Sequence, residues 1–95
     1  MIFEWNAEKA KVNLKKHGVS FEDASDIFGD QWALTFPDPD HSDEEDREIT
    51  IGASTNRRVL FVSHAARGDR IRIISARKAT RKERRQYAER TSRRD

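Results

Sequence analysis

The sequence has no cysteine, only two prolines and four glycines, and no apolar run longer than Val59-Leu60-Phe61-Val62. Without cysteine there is no disulfide framework, no thiolate metal site and no cysteine nucleophile, a composition that suits a reducing cytosol. A four-residue apolar run is far short of the roughly 18 residues of a membrane span, and Glu4 interrupts any signal-like start. A soluble, cytoplasmic protein with no membrane partner is expected. Apolar residues are also scarce, 35% against 38% charged in a chain of 95. That length predicts one domain over residues 1–95 with a small core and a densely ionic surface. A multidomain enzyme is excluded, and a stabilising partner fits the size.

What is abundant is charge, unevenly placed. Residues 67–95 hold twelve Lys and Arg against four Asp and Glu, whereas residues 1–66 hold seven against thirteen. The balances of +8 and −6 leave a net charge of only +2. Six of the seventeen acids lie together at residues 38–46, and twelve of the nineteen bases in the last third. A basic third points to a polyanion, with nucleic acid as the first candidate, against the plainer reading of a solvated helix.

Residues 2–5 read as a short first strand or an extended arm. Asn6 caps a helix ending near His17, with Ala7, Ala10 and Leu14 as its buried stripe and Gly18 as its left-handed cap. Ser20 and Asp23 open a shorter helix that carries Phe21, Ala24, Ile27 and Phe28 on one face and stops near Gly29. Strands are predicted over 33–36, ended by Pro37 and Pro39, and over 47–54, 58–64 and 70–77. The 58–64 run is apolar from Val59 to Val62 without alternation, as a central strand would be. Thr80-Arg81-Lys82-Glu83 is a capping box that opens a last helix with almost no apolar stripe, whose final residues are expected to fray. The predicted class is α+β: two N-terminal helices, an antiparallel β-meander and a C-terminal helix.

Asn6, Lys9, Asn13 and Lys16-His17-Gly18-Val19-Ser20-Phe21 at one end, and Arg72-Ile73-Ile74-Ser75-Ala76-Arg77-Lys78-Ala79-Thr80 with Glu83-Arg84-Arg85 and Tyr87 at the other, resemble the BrnT family. His41-Ser42, Glu45, Arg47 and Ile51-Gly52 resemble its middle section, so the likeness runs over residues 1 to about 90. It implies a RelE-like fold and an endoribonuclease toxin of a type II toxin–antitoxin system that arrests translation. It also implies a BrnA antitoxin whose ribbon-helix-helix part binds DNA, so that DNA is met only through the complex.

Metal-free RNA cleavage needs a base for the 2′-OH, an acid for the departing 5′-oxygen, and cations on the phosphorane oxygens. Histidine titrates near neutrality, and arginine offers a fixed cationic fork to phosphate. His64 at a strand end, Arg72 on the neighbouring strand, Arg77 and Tyr87 are the candidate catalytic residues, with the first three expected to line one concave sheet face. Lys16, His17, Arg47, Arg58, Arg70 and Lys78 are candidate RNA contacts. Each has a plainer role beside it: His64 as a hydrogen-bonded strand end, His17 as a helix-end cation, Tyr87 as the anchor of a polar helix. His41 lies among carboxylates that favour its imidazolium, which makes it a poor base. The acidic stretch has hard-ligand types but no turn glycine to fix them, so no metal or other cofactor is expected. Lying near the basic face and competing with RNA is the use it suggests. The rival function is a non-catalytic module that binds nucleic acid or docks an antitoxin.

Overall fold

Local capping sets the helix ends. Asn6 Oδ1 accepts from the Lys9 N–H at 3.0 Å, and Ser20 Oγ accepts from the Asp23 N–H at 3.0 Å. Thr80 and Glu83 close a reciprocal box, Thr80 N–H to Glu83 at 2.8 Å and Glu83 N–H to Thr80 Oγ1 at 3.2 Å. Each bond satisfies an amide that the first helical turn leaves unpaired. Gly18, at φ 69°, ends the first helix in a backbone region that costs other residues about 1 kcal/mol.

A computed structural model describes residues 1–41 and 46–92. In chain order its elements are β1 (Ile2–Glu4), α1 (Ala7–His17), α2 (Phe21–Asp26) with a 3-10 turn (Ile27–Gly29), β2 (Leu34–Pro37), β3 (Arg47–Ala53), β4 (Val59–Arg67), β5 (Arg70–Lys78) and α3 (Arg81–Ser92). The centre of the acidic stretch, Ser42, Asp43, Glu44 and Glu45, and the tail expected to fray, residues 93–95, lie outside the described residues.

The strands form one sheet in the order β1-β5-β4-β3-β2. From β2 to β5 it is the antiparallel meander predicted, but β1 joins parallel to β5, with Phe3 opposite Ile71, so the sheet is mixed. No hairpin ties β1 to its neighbour; Phe3 holds it there by packing on Phe28, ring centroids 5.3 Å apart. One face of the sheet is covered by α1, α2 and the 3-10 turn. There Val19, Phe21, Ala24 and Ile27 meet Leu60, Val62, Ile73 and Ala76 in the core. Gly52 faces this layer at close quarters, since a Cβ would sit 3.1 Å from those of Ala33 and Ile27.

The stripe predicted for α1 is corrected. Leu14 is 51% exposed and Ala7 is exposed; the inward face carries Ala10, Asn13 and His17 instead. The reason lies on β5. β1 pairs only as far as Arg72, so Ala76 has no strand partner on that side. Buried Asn13 takes the place of one, donating to the Ala76 carbonyl at 2.8 Å and accepting from its N–H at 3.1 Å, with a further bond to the Val19 carbonyl at 3.0 Å. A buried amide is tolerated only when satisfied in this way.

Candidate functional site

Successive residues of a strand point to opposite faces, and residues paired across strands share one. Leu60 and Val62 point into the core, so Phe61, Ser63, Ala65 and Arg67 lie on the outer face, away from α1 and α2. The register then lays Arg47, Ala65 and Arg72 in one row, Ile49, Ser63 and Ser75 in the next, and Ile51, Phe61 and Arg77 in a third. Arg47 and Arg72 flank Ala65 with Cα atoms about 10 Å apart, two strand spacings. Each already holds a contact. Toward the β4–β5 turn the face continues in Arg67 and Arg70, both paired with Glu4, at 3.3 and 3.7 Å.

Arg77 is held in place by its neighbours. Its guanidinium stacks 3.8 Å above the Phe61 ring and grips Glu83 with two hydrogen bonds, at 2.8 and 3.0 Å. Burial raises the Glu83 pKa, but hydrogen bonds from Arg77 and Thr80 and the arginine's charge outweigh it and hold the carboxyl below its ordinary value. Beside it, Asp38, Pro39 and Asp40 face the start of α3 across a cavity of about 310 Å³ floored by Ile49, Ile51 and Phe61. The described part of the acidic stretch thus overhangs the same face as Arg77.

His64 does not join this surface, which corrects the expected cleft. It follows Leu60 and Val62 on the core side, is 4% exposed, and meets the Phe28 ring edge-on at 4.8 Å. Its Nε2 is 2.7 Å from Thr50 Oγ1, which is 2.8 Å from Thr35 Oγ1. Burial pushes the pKa down to about 4, so the ring is neutral at physiological pH. The apolar reading of 58–64 hid its parity; the pair Leu60 and Val62 was the signal that placed it inside.

Tyr87 also lies apart. Its hydroxyl donates to Asp30 at 2.5 Å, and Asp30 further accepts the N–H groups of Ala53 and Trp32. Burial raises the Asp30 pKa, yet these bonds leave it below the usual carboxylate value. The pair, with Arg90 donating to the Trp32 carbonyl at 3.1 Å, ties α3 to the loop before β2. Of the expected RNA contacts, Arg47 and Arg70 lie on the outer face. Lys16 and His17 line a separate groove between α1 and β5 with Val12 and Ile74. Arg58 is held by Asp23 at 2.5 Å, near exposed Lys78 at the end of β5. The sequence reading left out Arg67, Ser63, Ser75 and Glu83 on the outer face. Glu83 alone had a local signal, its capping box.

Among the described residues no group of three or more His, Asp or Glu is placed to share a metal ion, and no helix is long and apolar enough to cross a membrane. A family model described as the ribonuclease toxin, BrnT, of type II toxin–antitoxin systems matches residues 5–83. The chain belongs to the BrnT family. It is similar to the BrnT ribonuclease toxin of Brucella abortus, solved at 1.1 Å: 25% identity, 85% of this chain and 100% of that one covered, TM-score 0.67. No curated protein matches it. BrnT membership makes the chain one of the ribonuclease toxins of type II systems, a class that implies an antitoxin partner. The BrnT match ends at Glu83, the residue that grips Arg77.

Proposed function

We propose that this chain is a metal-independent, RelE-like endoribonuclease that cuts RNA on the outer sheet face, arrests translation and is silenced by a BrnA-type antitoxin. The observation that carries the reading is that the register places Arg47, Arg72 and Arg77 on one face of a sheet whose other face is filled by core. In the reaction the 2′-oxygen attacks the neighbouring phosphorus, its proton leaves to a base, and the 5′-oxygen departs and takes up a proton. The products are a 2′,3′-cyclic phosphate and a 5′-hydroxyl. Negative charge builds on the non-bridging oxygens in the transition state, and guanidinium donors fixed in advance stabilise it more than they stabilise bound RNA. Arg77 and Arg72 take this role, Arg77 by exchanging Glu83 for phosphate; Arg47 and Arg70 hold flanking phosphates. His64 and Tyr87 act by keeping the sheet and α3 in place. RNA ends report the test: purified protein in EDTA should leave 2′,3′-cyclic phosphates on a defined RNA. A requirement for added magnesium would overturn the metal-free reading. Tight binding without any cut would favour a non-catalytic module.

A further inference from the structure

The β3–β4 turn carries an arginine where backbone geometry favours glycine. The Arg57 N–H donates to the Ser54 carbonyl at 2.9 Å, and the Ser54 N–H donates to the Arg58 carbonyl at 2.9 Å. Closing the hairpin in this way puts Arg57 at φ 62°, the one positive φ outside glycine among the described residues. Such a conformation is disfavoured for a residue with a Cβ and tends to persist where the side chain has a use.

Its neighbours suggest the use. Arg57, Arg58, Lys78 and Arg84, with Val59, line an open depression of about 240 Å³. Arg84 is anchored there by a 2.8 Å bond to the Ala79 carbonyl, and Arg58 by Asp23 and the Gly18 carbonyl. Arg57, Lys78 and Arg84 are exposed, and among the described residues none of the three forms an ion pair with a carboxylate. Cations gathered without a counter-charge repel one another until an anion arrives. The single apolar wall, Val59, gives a peptide no pocket for the buried anchors that protein interfaces rely on, whereas phosphate needs only cations and N–H donors. Lys78 directly follows Arg77, so the depression lies around the end of β5 from the outer-face arginines, where a strand leaving that face would meet it.

We propose that Arg57, Lys78 and Arg84 form a second phosphate site, which grips the backbone of single-stranded RNA to one side of the cut; this rests on the ribonuclease reading above. The test is the affinity of labelled, uncleavable 2′-O-methyl RNA, as a trinucleotide and as a longer strand, measured across a salt series. Arg57→Gly removes the charge and eases the backbone, so the fold should survive; Arg84→Gln is its companion. The double variant should bind the longer strand about tenfold more weakly, with the slope of log affinity against log salt reduced by about 0.7, the share of one single-strand phosphate. The trinucleotide should be held as before, and Arg57→Lys should keep most of the affinity for the longer strand. Parental affinity and slope in the double variant would overturn the second site, as would equal weakening of both RNAs. If the double variant instead loses affinity only for an acidic peptide, the site serves a protein and the proposal fails. A parental protein that binds neither RNA would overturn the ribonuclease reading itself.

Discussion

His64 carries the clearest pH signature of any single residue here. Its folded pKa of about 4 lies below the ordinary 6.5, so between these values the unfolded chain binds the proton more readily. The stability from a neutral, buried His64 is therefore complete above pH 6.5 and is lost as pH falls toward 4. The slope approaches about 1.4 kcal/mol per pH unit, about 3 kcal/mol in all. Urea unfolding at a series of pH values should show this loss, and His64→Gln should flatten it. An unchanged profile in the variant would mean that His64 is not the group responsible. The same residue shows how parity escapes a sequence. Four successive apolar residues, Val59 to Val62, do not declare which alternate set faces the core, and His64 goes with Leu60 and Val62 into the interior.

At the scale of elements, what was legible in the sequence was local. Asn6, Gly18, Ser20 and the Thr80–Glu83 box act within one helical turn, so their residue types disclose the helix ends. The stripe of α1 was not legible, because it depends on Asn13 meeting Ala76, 63 positions away. Nor was the parallel pairing of β1, which no turn specifies. Asn13→Ala would leave the buried N–H and C=O of Ala76 without their partner, at roughly 1–3 kcal/mol for each such group. We expect a loss of several kcal/mol in chemical unfolding, larger than for Leu14→Ala at a helix position that is half exposed. Equal and small losses would show that Asn13 does not serve as the edge partner of Ala76. For the candidate site, the arginines of β5 could be read from the sequence but their company could not. The grip of Glu83 on Arg77 and the overhang of Asp38 and Asp40 arise from the way α3 and residues 38–40 lie over the sheet.

At the scale of the whole molecule, the two faces of the sheet differ. One face of its sheet is packed with core, and the other presents arginine rows bordered by carboxylates of its own chain. The acids of residues 1–66, some of which border those rows, are what bring a basic last third to a net charge of only +2. On the proposed reading RNA displaces contacts such as Arg77–Glu83, and each phosphate it places on the arginines adds to a loss of affinity with salt. The central claim is that RNA is cut against Arg72 and Arg77 on the outer face. Its most direct test is the single-turnover cleavage rate of a defined RNA in EDTA, for the parent, Arg72→Ala and Arg77→Ala, each confirmed folded by circular dichroism. Arg77→Ala should slow the cut about 100-fold, roughly 2.7 kcal/mol, while weakening RNA binding far less; Arg72→Ala should lower both. Folded variants that cut RNA at the parental rate would contradict the account and place the chemistry elsewhere on the chain.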